Sequence, residues 1–280
     1  MLTNYSKASM NWKIRDKAKM NDHTFVICAY KECHYLGELI ESLQAQTVKS
    51  QILIETSTPN TFIKDTADKY GLSVYVNQGK SGITEDWNYA MSMVDTNLVT
   101  IAHQDDIYLP EYTETMLKYI GKSEHPLIFF SDYAELRNGD VVKENRNLKI
   151  KRFLLKELKK QKNWSKKSVR RRSLSLGDAI CCPSVTFYMK NLPKPVFANH
   201  FEASEDWEAW ERLSKIDGDF IYVPEILMYH RIHVDSATTK VIGENHRREE
   251  TYEMYRKFWP EWIARMLTNA YAGSEKSNQI

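Results

Sequence analysis

The stretch TIAHQDDIYLPEY, Thr100–Tyr112, decides how this chain is to be read. An apolar strand delivers His103, Gln104, Asp105 and Asp106 in succession, and a helix follows with Pro110 in its first turn. Two adjacent carboxylates at a buried strand end repel each other and lose hydration, so the position asks for a positive partner. Taken alone, the pair fits either of two roles. It can supply oxygen ligands to a divalent cation shared with phosphate, or it can be a helix-capping aspartate beside a solvated one.

The same rhythm extends on both sides of this stretch. TFVICAY (24–30), QILIETS (51–57), LSVYVNQ (72–78), NLVTIAH (97–103) and PLIFFSDY (126–133) read as strands. Between them, apolar residues recur at helical spacing: Leu36, Leu39, Ile40 and Leu43; Phe62, Ile63, Ala67 and Tyr70; Trp87, Ala90, Met91 and Val94; Tyr112, Met116, Leu117 and Ile120. Strands alternating with helices of this length predict a mainly parallel sheet with right-handed crossovers. Such sheets bind ligands at their carboxyl ends, where Tyr30–Glu32, Thr56–Ser57 and His103–Asp106 fall. The second half returns to sheet-like runs at 183–189, 219–225 and 227–233. A charged helix follows at about 243–258, and Pro260 interrupts what comes next.

With 280 residues, 42% of them hydrophobic and 12% aromatic, the chain can bury a sizeable core. Its net charge is only +2, yet residues 143–172 hold fourteen Lys/Arg against two Glu, which leaves about −10 for the rest. Such segregation points to an anionic partner. Within the segment, KIKRFLLKELKK sets Ile150, Phe153, Leu154 and Leu158 along one stripe flanked by lysines. Phe153, Leu154 and Trp164 are expected to dip into an anionic lipid interface, or else the segment is a solvated helical insertion. Four cysteines form no CxxC pair, and the neighbours Cys181 and Cys182 suit a reducing compartment. No apolar run approaches a membrane span, and the first twenty residues lack a secretory apolar stretch. A cytoplasmic protein is expected, at most peripheral at the inner face of the cell membrane.

Two further stretches can carry chemistry. In ASEDWEAWERL (203–213), Ser204 is expected to cap a helix with Glu205 and Asp206 in its first turn. There the macrodipole lowers carboxyl pKa values. The acids serve either as dipole compensation or as a general base for an alcohol. In YHRIHVDSATT (229–239), Arg231 and His233 share one strand face, a guanidinium for phosphate and an imidazole for a metal shell.

Together these stretches resemble family 2 glycosyltransferases, nucleotide-sugar-dependent and usually inverting, over roughly residues 22–240. FVICAYKE is similar to the family's opening strand, LVTIAHQDDIYLPEY to its metal-motif strand, SEDWEAWERL to its base-bearing ED motif and YHRIHVDSATT to its late R-x-H segment. The resemblance implies an α/β fold of the GT-A type: a Rossmann-like, mostly parallel sheet flanked by helices, with a basic helical insertion and a C-terminal helical extension. It implies a nucleotide-binding half at 22–135, the insertion at 141–172, an acceptor half at 173–240, an extension at 241–280 and a basic N-terminal segment at 1–21.

Carried onto this sequence, Asp105 and Asp106 would coordinate Mg²⁺ or Mn²⁺ with the donor diphosphate, and His233 would join them. Asp206 would be the base, with Glu205 beside it, and Arg231 would meet the diphosphate. Ala29, Tyr30, Glu32, Thr56 and Ser57 would border the base and ribose. GKSGITEDWNYAM adds Gly82, Asp86 and Asn88, and His103 and Gln104 complete the donor side. Asp132 and Asp178 would contact acceptor hydroxyls. His103 stands where the family has an aspartate, and Glu55-Thr56-Ser57 replaces its usual acidic strand end, so a UDP-sugar is only the default donor. The acceptor would be a saccharide or lipid-linked saccharide, and an anionic membrane surface a further partner; no nucleic acid is expected. The competing reading is a metal-dependent phosphodiesterase or nucleic-acid-binding protein that uses residues 143–172. A nucleotidyltransferase would want a Gly-rich, basic signature that VICAYKECHYLGEL lacks.

Overall fold

The computed structural model describes residues 22–198, 200–233 and 244–275. The 1–21 segment and the 234–239 end of the R-x-H stretch lie outside the described residues. The first half builds four strands, β1 (His23–Cys28), β2 (Gln51–Thr56), β3 (Val74–Val76) and β4 (Leu98–His103). They are connected by helices α1 (Leu36–Gln44), α2 (Thr61–Tyr70) and α3 (Ile83–Ser92). All pair in parallel in the order β3-β2-β1-β4, so their carboxyl ends share one edge. Alternation along β1 shows why the sheet is buried on both faces: Phe25 and Ile27 enter one core cluster and Val26 the other.

Beyond β4 the sheet becomes mixed. β5 (Ile107–Tyr108) and α4 (Tyr112–Ile120) lead to β6 (Pro126–Arg137), which turns through Asn138–Gly139 into β7 (Asp140–Val142). Both turn residues have positive φ, the geometry that suits an Asn-Gly hairpin. β8 (Val185–Tyr188) lies between β4 and β6, antiparallel to both. The runs at 219–225 and 227–233, expected as two strands, form one, β9 (Asp219–Ile232), parallel to β6. Its register jumps from Val223 opposite Ser131 to Ile226 opposite Asp132, leaving Pro224 and Glu225 exposed in a bulge. A proline without an N–H is tolerated at such a point.

The basic segment is tied into the core. It contains α5 (Arg146–Leu154), two short 3₁₀ turns and α6 (Lys167–Leu174). The side chain of Asn145 accepts the Leu148 N–H to start α5. The expected single stripe of Ile150, Phe153, Leu154 and Leu158 is split: Leu158 is buried together with Leu148 and Leu155, whereas Ile150 and Phe153 face out. Trp164, expected at a lipid interface, is 3% exposed and donates its indole N–H to the Leu158 carbonyl. Arg170 is wholly buried, with its guanidinium on the carbonyls of Ile216 and Gly218 and over the Phe220 ring. α7 (Glu205–Leu213), α8 (Glu244–Arg256) and α9 (Glu261–Glu275) pack on the same face, where Trp207 meets Tyr255, Phe258 and Tyr271. Among the described residues, no helix is long and apolar enough to cross a membrane.

Candidate active site

At the ends of β1 and β4, Gln104 closes a two-way bridge. Its side chain accepts the Tyr30 N–H at 2.9 Å and donates to the Tyr30 carbonyl at 3.1 Å. Nearby, Lys31, in a left-handed conformation, donates its N–H to Thr58. Beyond Lys31 and Glu32 the cleft opens into a pocket of about 580 Å³, completed by Thr58, Pro59 and Asn60. Asp86, in the first turn of α3, ties that helix to the strand ends by accepting from Ser57 at 2.7 Å and Asn77 at 2.8 Å. Gly82 caps the same helix. Thr56 is buried, its hydroxyl accepting the Thr58 N–H. Asn88 spends its amide on both backbone groups of Phe197, joining α3 to the chain ahead of α7.

β9 grips the two adjacent carboxylates from opposite faces. Alternation sends His230 to Asp106, with Nδ1 3.0 Å from Oδ1, an oxygen that also receives the Arg231 N–H at 2.8 Å. The other face sends His233 Nε2 to within 2.8 Å of Asp105 Oδ2 and Arg231 Nε to the Asp105 carbonyl at 2.7 Å. Arg231 also donates to Glu38 at 2.7 Å and lies 3.8 Å over the Tyr35 ring. Burial works against ionisation of Asp105, but His233, His103 and His230 outweigh it and hold its pKa below the usual carboxylate value. Burial lowers the His103 pKa against the opposing pull of Asp106 and Asp105, and its ring stacks on Trp87.

These residues fit a divalent cation. Oδ2 of Asp106 and Nε2 of His103 are buried with no hydrogen-bond partner, and carboxylate with imidazole is an ordinary donor set. Among the described residues, no three such side chains converge to cage an ion unaided. A cation here would therefore complete its shell with phosphate oxygens and water.

His103 is within electrostatic reach of both aspartates, of His230 and of Asp206 at the start of α7. The expected Ser204 cap is absent: its side chain makes no capping bond. Glu250 of α8 instead accepts the N–H groups of Glu202 and Ala203 just upstream. Nor does the helix start lower the Glu205 pKa. Burial, then the neighbouring Asp206, pushes it up to about 8, so desolvation outweighs the dipole. Trp207, Trp210 and Glu211 are buried and fix the helix, while Asp206 is partly exposed.

Opposite Asp206 lies Asp178. The two carboxyls share a hydrogen bond, and burial together with Asp206 raises the Asp178 pKa far above the carboxylate range. α5 reaches the same place. Arg152 donates to Asp132 at 2.7 Å and to the Tyr133 carbonyl at 3.2 Å, and Lys151 sits 5.5 Å from the Tyr133 ring centre, with Asp178 and Tyr271 in reach. Asp132 has its second oxygen on the Tyr133 N–H, so both of its carboxylate oxygens are engaged within the protein.

Residues 24–192, more than half the chain, match the profile of Glycosyl transferase family 2. The chain belongs to glycosyltransferase family 2. This glycosyltransferase is 27% identical over 216 residues to the uncharacterised glycosyltransferase MJ1057 of Methanocaldococcus jannaschii, covering 74% of this chain and 69% of that one. Its fold is similar to that of S. aureus TarS 1-349 in complex with UDP-GlcNAc, with TM-score 0.59, 13% identity and coverage of 88% and 70%. It is similar too to the mannosyltransferase PcManGT of Pyrobaculum calidifontis in complex with GDP-Man and Mn²⁺, with TM-score 0.58, 11% identity and coverage of 95% and 77%. Glucosyl-3-phosphoglycerate synthase from Mycobacterium tuberculosis, in complex with Mn²⁺ and UDP-glucose, gives TM-score 0.52 and 13% identity over 83% and 78%. These structural likenesses establish the GT-A fold for the glycosyltransferase.

Sequence reasoning missed four contributors to the glycosyltransferase cleft: His230, Lys151, Glu38 and Tyr35. The signal for His230 was strand alternation, since a residue between Arg231 and a preceding tyrosine on an edge-paired strand meets whatever lies on the other face. Lys151 and Glu38 carried none, because their approach depends on how separate elements pack.

Proposed function

We propose that the glycosyltransferase moves a sugar from a nucleoside-diphosphate sugar to a hydroxyl of a saccharide acceptor, soluble or lipid-linked, in one inverting displacement that serves surface-polysaccharide synthesis. The observation that carries this reading is His103, an imidazole within electrostatic reach of both the carboxylate pair and Asp206. Diphosphate chemistry and base chemistry then share one cleft.

Asp105 and Asp106, with His233 beside Asp105, would hold Mg²⁺ or Mn²⁺ together with donor phosphate oxygens and water, and the ion when bound supplies Lewis-acid neutralisation of the leaving diphosphate. Arg231 takes diphosphate oxygens with the guanidinium edge that Asp105 and Glu38 leave unused. The strand-end loops around Ala29, Tyr30, Glu32, Thr56 and Ser57 hold the base and ribose, with Glu32 also lining the open depression beside Thr58–Asn60. Asp206 takes the proton from the attacking hydroxyl. Asp178, protonated, donates to Asp206 and fixes its orientation, while neutral Glu205 adds no second charge beside it. UDP- and GDP-sugars both occur in the similar structures, so UDP is the first donor to try.

The test is a panel of nucleotide sugars with Mn²⁺ or Mg²⁺, reading released nucleoside diphosphate. One donor should be turned over slowly even without acceptor. Asp206→Asn should cost about 10²–10⁴-fold in transfer with nucleotide affinity nearly unchanged. A variant that keeps most of its activity removes Asp206 from the role.

A further inference from the structure

α5 has two faces with different duties. At 3.6 residues per turn, Leu148, Lys151 and Arg152 point inward, to the core, Tyr133 and Asp132. The opposite face carries Arg146, Lys149, Ile150 and Phe153, all exposed. Phe153 is 62% and Ile150 45% exposed, among the largest apolar exposures of the molecule. The ammonium of Lys156 sits 4.3 Å over the Phe153 ring, and Lys149 makes one ion pair, with exposed Glu144 at 3.4 Å. Apolar and cationic side chains are thus interleaved on one outward surface. A polyanion in solution would satisfy the cations and give Ile150 nothing, whereas a bilayer with acidic headgroups satisfies both kinds at once.

We propose that the outward face of α5 docks the glycosyltransferase on an anionic lipid bilayer. Phe153 and Ile150 enter the boundary between headgroups and acyl chains, and Arg146, Lys149 and Lys156 meet the lipid phosphates. Neither signal alone anchors stably; together they do so reversibly. The acid cleft then opens about one helix diameter, roughly 10 Å, from the lipid surface. This deepens the saccharide-transfer reading by giving the acceptor a location, and the docking itself requires no turnover.

The test is co-sedimentation of the full chain with vesicles of neutral phospholipid, with and without acidic phospholipid, at low salt and at about 1 M salt, where the Debye length is about 3 Å. Pelleting is expected with acidic vesicles at low salt only. Ile150→Ser with Phe153→Ser should weaken partitioning about ten-fold or more. Lys149→Glu with Lys156→Glu should weaken it by at least 25-fold, about five-fold for each cation lost. All four side chains are exposed, and donor hydrolysis should be unchanged in both variants, so loss of docking and loss of transfer are read separately. No acidic-lipid-dependent pelleting at low salt overturns the proposal. So does pelleting that ignores the apolar double substitution and is competed away by generic DNA, which would mark a polyanion site instead.

Discussion

Replacing Glu55 by glutamine should change how stability depends on pH. Glu55 ends β2 wholly buried, neither carboxyl oxygen has a conventional partner, and the weakly donating Cys28 thiol is beside it. Burial first, then the charge of Asp86, pushes its pKa from 4.5 to about 8. Below the lower value both folded and unfolded chains hold the proton. Between the two values only the folded chain does, so the folded state binds more protons and stability falls as pH rises. At about 1.4 kcal/mol per unit, the accumulated loss by pH 8 is of order 4–5 kcal/mol. Glu55→Gln removes that slope. Its amide carries its own hydrogen-bonding cost, but that cost does not vary with pH. Thermal unfolding of both proteins from pH 4 to 9 should show the variant gaining on the wild type by about 10 °C or more, then levelling off. A gap that stays constant across this range, or that shrinks as pH rises, refutes the assignment.

Other outcomes follow from the same geometry. Lys151→Met removes the ammonium that opposes the upward shift of Asp178, so the alkaline limb of the kcat profile, where Asp178 loses the proton it donates, should move to higher pH, and Lys151→Arg should restore it in part. Arg170→Ala strands two buried carbonyls and should cost about 3 kcal/mol, a Tm fall of roughly 6–12 °C, with nucleotide affinity per folded molecule unchanged. Stripping divalent ions with a chelator should weaken nucleotide-sugar binding in calorimetry, and Mn²⁺ or Mg²⁺ should restore it. Equal binding with and without the ion would refute the donor assignment for Asp105 and Asp106.

The first half of the fold was legible because each of its strands is a short apolar run and each connection a helix with one apolar face. The strand order beyond β4 was not, since pairing β8 between β4 and β6 is decided by contacts far apart in sequence. The sequence reading divided β9 into runs at 219–225 and 227–233, whereas the bulge at Pro224–Glu225 lets one strand continue through both. The Asn138–Gly139 turn was readable and overlooked, which cut β6 short at Tyr133. The carboxylate pair, Arg231 and His233 were visible as motifs. Glu205 was misjudged for its pKa because the sequence displays a helix start but not the depth at which it is buried. Leu158 and Trp164 turned out buried while Ile150 and Phe153 face out, because spacing defines a stripe without saying which of its residues the rest of the protein covers.

β9 joins Phe220–Val223, buried against the core, to His230–Ile232 at the acid pair, across the bulge at Pro224–Glu225. Its hold on Asp106 comes partly through a main-chain N–H, which no side-chain substitution at Arg231 removes short of proline. Conversely, a lesion near Phe220 that slips the strand by a single residue would swap the faces offered to Asp105 and Asp106. Screens for inactive variants should therefore recover changes far from the cleft, in well-folded proteins that have lost their grip on nucleotide.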